Sequence, residues 1–239
     1  DNGTKNVIHE LMNKRDKDIQ WCIVGEASSN KQLGDQIKVG RRGSLSGDLI
    51  VHGKQGHIAY PDTASNAIHL AMAALDELAT TQWDKGNKEF APTSFQLSNI
   101  NAGTGANNVI PGQLSASFNF RYSPESTAKT LQKKAEAILD KHQLPYSLTW
   151  SLSGEPFLSK TGKLVTATKQ AIHTVVGLTT KTDTGGGTSD ARFIAPYGIE
   201  TLELGFCNDS IHKINEAIAV DDIEKLVAIY QEILKQLFA

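Results

Sequence analysis

The sequence predicts an α/β unit built from both ends of the chain and an α+β unit inserted near the middle. Near the ends, apolar runs without clean alternation, such as Ile19–Gly25, are typical of strands buried on both faces of a parallel or mixed sheet. In the middle, Gln113–Tyr122 alternates strictly, which is typical of a sheet with one face on a core. After Glu155-Pro156 helical and strand patterns alternate again, and 239 residues suffice for two modest domains.

The first segment of the α/β unit, residues 1–42, is predicted to contain a helix over Thr4–Arg15 and a strand over Ile19–Gly25. The helical period places four apolar side chains on one face: Val7, Ile8, Leu11 and Met12. The strand is followed directly by Glu26 and a run of small polar residues.

The inserted unit, residues 43–156, has the element order β-α-β-β-α-β, which is the ferredoxin-like pattern. Its predicted elements are a strand at Asp48–Gly53, a helix at Thr63–Thr80, strands at Thr93–Asn99 and Gln113–Tyr122, a second helix, and a strand through Tyr146, Leu148, Trp150 and Leu152. We expect Ser123-Pro124 to open the second helix, because proline suits the first helical position.

The last segment, residues 157–239, returns to the α/β unit. It is predicted to contain a helix at Gly162–Val176 that ends at Gly177, strands at Leu178–Thr182 and Ile199–Phe206, and an amphipathic helix at Asp221–Phe238. The two end segments together supply about three strands, whereas about five or six are typical. We therefore expect part of this α/β unit to lie outside the chain.

Composition excludes several classes of function. The charge of −2 gives no reason to expect nucleic acid or an anionic membrane as a partner. The two cysteines are too few for a disulfide framework, so we expect a reducing cytoplasm. No apolar run is long enough for a membrane span, and residues 1–18 are too polar for a signal peptide. The chain does not begin with Met, so position 1 need not be the natural start.

Several residues could carry chemistry, although each also has an ordinary structural interpretation. Glu26 follows a buried strand, at the edge where α/β sheets bind ligands, and is a candidate metal ligand or general base, or else a helix cap. His212 follows another strand and is a second candidate ligand or a surface histidine. His57, in a shaped loop, could polarise a carbonyl or could simply be a turn residue. Arg41 and Arg121 could bind substrate carboxylates.

Seven short segments, in this order, carry a resemblance to a known family. They are Val24-Gly-Glu-Ala-Ser-Ser29, Gly40-Arg-Arg-Gly-Ser44, Gly56-His-Ile-Ala-Tyr-Pro61, Gly103-Thr-Gly-Ala-Asn-Asn-Val-Ile-Pro111, Phe118-Asn-Phe-Arg121, Thr184-Gly-Gly-Gly-Thr-Ser-Asp190 and Ile211-His-Lys-Ile-Asn-Glu216. Together they resemble the co-catalytic zinc aminoacylase/carboxypeptidase superfamily over essentially the whole chain. The glycine-rich segment is most similar to the succinyl-diaminopimelate desuccinylase branch.

The resemblance implies an α/β catalytic domain, incomplete here, with an inserted α+β ferredoxin-like lid that forms a homodimer. It implies two zinc ions, for which cobalt can substitute, with Glu26 as a ligand of one ion and His212 as a ligand of the other. His57 matches a histidine that reaches into the partner subunit's site and stabilises the oxyanion there. The implied substrate-binding positions are Arg41, Ser44, Tyr60, Asn107, Asn108, Arg121, Gly187 and Thr188.

The implied reaction is zinc-dependent hydrolysis of N-succinyl-LL-2,6-diaminopimelate to succinate and LL-2,6-diaminopimelate, in lysine and cell-wall synthesis. The family's N-terminal part, which carries three further zinc ligands and the general base, has no match here. We therefore expect this chain to be an inactive fragment and the missing N-terminal segment to be one of its partners. The alternatives are another amidohydrolase of the superfamily, such as an acetylornithine deacetylase or a dipeptidase, and a non-catalytic dimerisation fragment.

Overall fold

The computed structural model describes residues 3–14, 18–159, 162–207 and 209–239. The chain divides into two compact units. We call the first the split unit, because it joins Asp1–Arg42 with Phe157–Ala239, and the second, Gly43–Pro156, the inserted unit. Arg15, the predicted end of the first helix, lies outside the described residues.

The described residues form six α-helices and twelve strands. The helices are α1 (Gly3–Asn13), α2 (Ala67–Thr80), α3 (Ala128–Lys141), α4 (Lys163–Val176), α5 (Ala191–Ile194) and α6 (Val220–Phe238). The strands are β1 (Trp21–Val24), β2 (Gln36–Lys38), β3 (Gly40–Arg41), β4 (Gly43–His52), β5 (Gly56–His57), β6 (Ser94–Ala102), β7 (Val109–Ile110), β8 (Gln113–Tyr122), β9 (Tyr146–Gly154), β10 (Phe157–Leu158), β11 (Lys181–Asp183) and β12 (Glu200–Glu203).

The split unit contains a mixed sheet of order β1-β12-β2-β11. β1 runs parallel to β12, β2 runs parallel to β11, and β12 meets β2 antiparallel through Glu203 and Lys38. Helices α4 and α6 bury their apolar stripes against this sheet. Fully buried members of this core include Ile37, Leu164, Ile172, Leu202, Ile229 and Ile233. The core therefore draws on both ends of the chain.

The inserted unit contains an antiparallel sheet of order β6-β8-β4-β9, with α2 and α3 packed on one face. The element order predicted from the sequence is present. β8 spans the predicted residues, and its apolar side chains are buried while the polar ones alternate with them. The core is aromatic, with Phe120 at ring-centroid distances of 4.6 Å from Trp83 and 5.0 Å from Phe95. A separate two-stranded sheet pairs β5 with β7.

The split unit differs from the sequence prediction at several strands. The short strands β3 and β10 were not predicted, β11 begins at Lys181 instead of Leu178, and β12 is shorter than the predicted Ile199–Phe206. β1 is half-buried at all four residues instead of buried on both faces, because it lies at the sheet edge with β12 as its one neighbour among the described strands. β2 was not predicted, because it has three residues and one of them, Lys38, is charged. With β2, this unit's sheet contains four strands instead of about three.

Three helix predictions also need correction. α2 begins at Ala67 instead of Thr63, because Asn66 caps it by accepting a hydrogen bond from the Ile68 N–H at 3.0 Å. Pro124 does not open α3, which begins at Ala128, because Thr127 caps it by accepting a hydrogen bond from the Thr130 N–H at 3.1 Å. Val7 in α1 is exposed, and Ile8 carries the buried side of that helix. The predicted end of α4 is confirmed: Gly177 has φ 72° and caps the helix in the left-handed conformation. No helix in the described ranges is both long and apolar enough to span a bilayer.

Candidate functional site

The segments that carry Glu26 and His212 leave the split-unit sheet at the same edge. β1 and β12 are parallel neighbours, and Glu26 and His212 both follow the carboxyl ends of these strands. Pairing continues past the strands, since the Ser29 N–H donates to the Phe206 carbonyl at 3.1 Å. Glu26 is half-buried and His212 is exposed. This edge is where open α/β sheets bind ligands.

His212 lies in a loop with an uncommon backbone conformation. Its φ is 60°, in the left-handed region that non-glycine residues rarely adopt. The loop is closed by Ser210, whose hydroxyl donates to the Ala217 carbonyl at 2.8 Å and accepts from the Ala217 N–H at 3.1 Å. The His212 N–H donates to Glu216 Oε2 at 3.3 Å. Local bonds therefore fix the loop while the imidazole stays accessible.

The donor set of the described residues is incomplete for zinc. A carboxylate and an imidazole are suitable donors, but a hydrolytic zinc ion takes three protein ligands besides its water. Glu26 and His212 supply two donors, and no group of three or more His, Cys, Asp or Glu side chains in the described ranges could hold a metal ion. These residues alone do not fit a complete zinc site.

Arg41 lies beside the glycine-rich loop, Thr184–Asp190, and forms a buried ion pair with Glu203. Arg41 is 7% exposed and Glu203 is fully buried. Arg41 Nε lies 2.9 and 3.1 Å from the two carboxylate oxygens, and Nη2 pairs with Oε2. Arg41 Nη1 donates to the Gly185 carbonyl at 2.5 Å. These bonds use three of the five guanidinium N–H groups.

A second ion pair lies at the start of the same loop. The Lys38 ammonium pairs with Asp183 Oδ2, and that oxygen also accepts from the Gly185 N–H at 3.1 Å. Burial opposes ionisation of Asp183, but the hydrogen bond and charge of Lys38 dominate and hold the pKa of this carboxyl below its ordinary value. The loop that carries Gly187 and Thr188 is thus anchored by charged groups.

In the inserted unit, the antiparallel pairing of β5 with β7 brings together the segments that carry His57, Tyr60, Asn107 and Asn108. His57 is paired with Val109, and the Asn108 carbonyl accepts from the Ile58 N–H at 3.0 Å. His57, Tyr60 and both asparagines are exposed, and the rings of His57 and Tyr60 lie 5.7 Å apart. The Ala59 N–H donates to His57 Nδ1 at 3.1 Å, so Nδ1 is an acceptor and Nε2 carries the ring proton.

Ser44 and Arg121 form a separate polar group on the sheet of this unit. They are cross-strand partners on β4 and β8, so their side chains share one face. Ser44 is buried and its hydroxyl accepts from the Asn119 amide at 3.1 Å. Arg121 is half-buried and has a partner within the protein. This face is the one opposite the aromatic core.

The sequence interpretation missed Glu203, Lys38, Ser189 and Asn119 as neighbours of these groups. Glu203 and Lys38 had a usable signal, because each is a charged residue inside an apolar run, Leu202-Glu-Leu204 and Ile37-Lys-Val39. Charged residues in buried strands are almost always paired. The identity of each partner required the fold, since Arg41 and Glu203 are 162 residues apart.

Known families and proteins with similar sequences indicate what kind of protein carries these residues. Residues 39–147 match the model of the peptidase dimerisation domain family. The chain is 57% identical to the succinyl-diaminopimelate desuccinylase of Methylococcus capsulatus over 99% of its own length and 63% of the relative's. It is 55% identical to the enzymes of the same name from two other organisms. The match covers 98% of this chain and 62% of the Alkalilimnicola ehrlichii enzyme, and 100% of this chain and 63% of the Acinetobacter baylyi enzyme. Over nearly all of its length the chain is therefore similar to succinyl-diaminopimelate desuccinylases. It spans 62–63% of the length of these desuccinylases.

Solved structures with a similar fold support the architecture described above. A tripeptidase from Staphylococcus aureus superposes with a TM-score of 0.79 at 22% identity, covering 98% of this chain and 60% of that one. A metallo-carboxypeptidase of the M20 family from Sulfolobus solfataricus superposes with a TM-score of 0.80 at 17% identity, covering 97% of this chain and 66% of that one. The chain therefore has a peptidase-like α/β fold with a dimerisation domain, and its named relatives are hydrolases.

Proposed function

We propose that this chain forms part of a zinc-dependent amidohydrolase that cleaves N-succinyl-LL-2,6-diaminopimelate into succinate and LL-2,6-diaminopimelate. The observation that carries the proposal is 55–57% identity to named desuccinylases over nearly all of the chain. In this proposal the split unit belongs to the catalytic domain, and the inserted unit is a ferredoxin-like lid that forms the dimer. Two free, half-buried cysteines, Cys22 and Cys207, support a cytoplasmic setting.

His57 is proposed to stabilise the oxyanion that forms when the amide carbonyl is attacked. Because the Ala59 N–H occupies Nδ1, the Nε2–H is the free donor of the ring. A preorganised N–H aimed at the developing oxyanion is among the strongest contributions to such reactions. The exposed position of His57 at the end of β5 suits a donor that acts in the site of a second copy. Asn107 and Asn108, which directly precede the paired strand β7, are proposed to assist.

The remaining predicted residues are proposed to bind the carboxylates of the substrate. N-succinyl-LL-2,6-diaminopimelate carries three carboxylates, which calls for guanidinium, hydroxyl and backbone N–H donors. Arg121 and Ser44 share one face of the lid sheet, and Tyr60 lies in the exposed segment that follows β5. In the split unit the Arg41 guanidinium, the exposed Gly187 and the half-buried Thr188 are proposed to supply further donors.

Glu26 and His212 are proposed as one ligand each of two zinc ions, and cobalt as a substitute metal. When bound, zinc supplies an acidified water and polarises the carbonyl. The other ligands and the general base would come from residues outside these 239. Both donors follow the carboxyl ends of the parallel neighbours β1 and β12, and this placement supports their roles as metal ligands.

Two copies are proposed to associate through α2 and the edge strand β6 of the lid. Ile68 and Met72 lie about one turn apart on α2 and are exposed, and Ile100 on β6 is also exposed. β6 is an edge strand in the described sheet, with edge N–H and C=O groups open to pairing. Met72→Glu, at a side chain 62% exposed, is expected to convert a dimer into a monomer in sedimentation velocity. Leu234→Glu on α6, 56% exposed, is the control and is expected to leave the dimer intact.

The rest of the catalytic domain is proposed to dock along β1 and α6. β1 is an edge strand of the described sheet, and Trp21, Leu234 and Phe238 help to line an adjoining cavity of about 320 Å³. Leu234 and Phe238 expose more than half of their surface, which is unusual for large apolar residues on a finished surface. The proposed occupant of this surface is the part of the catalytic domain that corresponds to the unmatched residues of the relatives. Slower amide exchange over Trp21–Val24 in a longer protein would support this docking, and unchanged exchange would contradict it.

The reaction is tested with a chimera in which the unmatched part of the Methylococcus capsulatus desuccinylase is fused ahead of the chain. With zinc, the chimera is expected to hydrolyse N-succinyl-LL-2,6-diaminopimelate, and the chain alone is expected to be inactive. Succinate release is measured beside release of acetate from N-acetylornithine and of amino acids from dipeptides. A zinc-loaded chimera that cleaves only these other substrates would favour the alternative amidohydrolase.

Two histidine variants of the chimera separate the roles of this chain from those of the added part. His57→Ala is expected to lower kcat about 100-fold or more, the usual cost of an oxyanion donor, with zinc content unchanged. His52→Ala is the matched control, because His52 is also exposed on the inserted unit and bonds Ser147 at 2.8 Å, away from the β5–β7 pair. Equal activity of both variants would remove His57 from the proposed mechanism.

A further inference from the structure

A single buried carboxylate lies behind the glycine-rich loop of the split unit. Glu203 ends β12, between β1 and β2 in the middle of the sheet, and is fully buried. An isolated carboxylate there would be strongly destabilised by the loss of water. Its position is tolerated because Arg41 binds both of its oxygens.

Glu203 is connected to both sides of the exposed part of the loop. The Ser189 hydroxyl donates to Glu203 Oε1, which anchors the far side. Arg41, held by Glu203, donates through Nη1 to the Gly185 carbonyl at 2.5 Å, which anchors the near side. Between Gly185 and Ser189 only three residues remain, and Gly186 and Gly187 are exposed.

The loop sequence permits this arrangement at one glycine in particular. Gly186 has φ 99°, a conformation that favours glycine, and a Cβ at this position would lie 2.4 Å from Arg41 Nη1. Gly187 has an ordinary backbone angle and open space where a Cβ would lie. The strict requirement for glycine therefore falls where the guanidinium approaches the loop, and not at the exposed tip.

We propose that Glu203 is a positioning residue, which through Arg41 and Ser189 holds the Gly186–Thr188 tip in one conformation for substrate. The role in substrate binding rests on the proposed function. The rigidity of the tip does not depend on it. Because Glu203 is fully buried, we do not expect it to contact substrate itself. Its effect would reach the tip through two hydrogen-bonded connections, one through Arg41 and one through Ser189.

Rigidity of the tip is tested first on the chain as it exists, labelled with [15N]glycine. The {1H}-15N relaxation of Gly185, Gly186 and Gly187 is measured, and order parameters near 0.85, as in rigid backbone, are expected. Ser189→Ala, which removes one arm and leaves the ion pair, is expected to lower the values of Gly186 and Gly187 below about 0.6. Thr201→Val is the matched control, because Thr201 is a buried hydroxyl on the same strand that donates to the Ile199 carbonyl and not to the loop.

Two results would overturn the proposal at this stage. One is a tip that is already flexible in the parent chain. The other is an equal response of the glycine signals to Ser189→Ala and Thr201→Val, which would indicate general loosening. Glu203→Gln is measured as well, but Ser189→Ala decides the question if Glu203→Gln does not fold.

Positioning is then separated from simple stabilisation by kinetics of the chimera. Ser189→Ala is expected to raise KM for N-succinyl-LL-2,6-diaminopimelate about tenfold, with a smaller change in kcat, because a loosened tip must be ordered on binding. Thr201→Val is expected to leave KM unchanged. An unchanged KM in Ser189→Ala would overturn the positioning role. A parent chimera with no desuccinylase activity would instead reject the proposed function, while the relaxation result would still decide whether Glu203 and Ser189 hold the Gly186–Thr188 tip rigid.

Discussion

Helices α3 and α4 both contain 14 residues, but their N-termini are satisfied in different ways. In the inserted unit, α3 is capped by Thr127, the residue directly before it. In the split unit, Gly162 precedes α4 and has no side chain to cap it. The carboxylate of Glu200, on β12, accepts from the Leu164 and Val165 N–H groups at 3.0 Å instead. One helix is completed by its neighbour in sequence and the other by a residue 35 or more positions away.

Polar groups that are buried or half-buried show the same contrast. In the inserted unit Asp84 accepts hydrogen bonds from Thr93, Ser123 and Ser126, all within 42 residues. In the split unit, Arg41 and Glu203 are 162 residues apart. The inserted unit can complete its polar contacts within one continuous stretch, whereas the split unit needs both ends of the chain. Substitutions of long-range partners should therefore affect the split unit alone.

Among substitutions that test this difference between the two units, Arg41→Met is expected to cause the largest loss of stability. Removing one partner of a buried ion pair leaves an uncompensated charge, and we expect a loss of about 3–5 kcal/mol of unfolding free energy in the split unit. Amide exchange of peptides from each unit in increasing urea measures this loss separately. Peptides of the inserted unit are expected to keep their protection.

The double variant Arg41→Met/Glu203→Leu sharpens this result. Because it removes both charges, much of the lost stability should return. A double variant as unstable as Arg41→Met would show that the charge on Glu203 is not the cause of the loss. Loss of amide protection in both units would contradict the expectation that Arg41→Met affects the split unit alone.

In the inserted unit, the matching test is the pH dependence of Asp84. Burial opposes ionisation of this carboxyl, but the Thr93, Ser126 and Gly86 hydrogen bonds lower its pKa from 3.8 to about 2. A lowered native pKa stabilises the fold above the unfolded pKa, and this stability disappears as pH falls from about 4 through 2. After allowance for solvent screening at this partly exposed group, we expect a contribution of about 1–2 kcal/mol at neutral pH.

Asp84→Asn provides the comparison. Its urea midpoint should lie below that of the parent chain above pH 5, and the two curves should converge toward pH 2. A constant difference over the whole range would indicate that packing, and not the charge, accounts for the role of Asp84.

The smallest effects are expected at the two helix caps. Thr127→Ala and Glu200→Gln should each cost about 1 kcal/mol, because one hydroxyl cap is lost in the first and the charge and one acceptor oxygen in the second. Urea unfolding measures both. Salt distinguishes them, since the charge at α4 is screened and the hydroxyl at α3 is not. Equal salt dependence would contradict the assignment of a charged cap to α4.

The inserted unit was the easier part to predict, for a physical reason. The alternation of Gln113–Tyr122 specifies both a strand and its buried face, and the structure has that strand at those residues. Where prediction failed in this unit, at Pro124, a competing local signal decided the helix start, since Thr127 and Thr130 form a capping box. A closer inspection of the sequence could have found it.

The split unit was harder because its strands are short and depend on distant partners. β2 has three residues, and Lys38 within it gives no strand signal until Asp183 is placed beside it. Among the candidate site residues, Glu26 and His212 could be assigned to the ends of strands from sequence. The ion pair of Arg41 could not, since nothing near Arg41 in the chain indicates Glu203.

The sequence by itself determined the element order of the inserted unit, the face of β8 that is buried, and the end of α4 at Gly177. These features depend on periodicity and on the conformational freedom of one glycine, which are local properties. Only the tertiary structure decided that β1 is an edge strand, that Glu200 caps α4, and that Glu203 binds Arg41 and Ser189. These features depend on contacts between residues far apart in the chain, and such contacts exist only after the two ends have folded together.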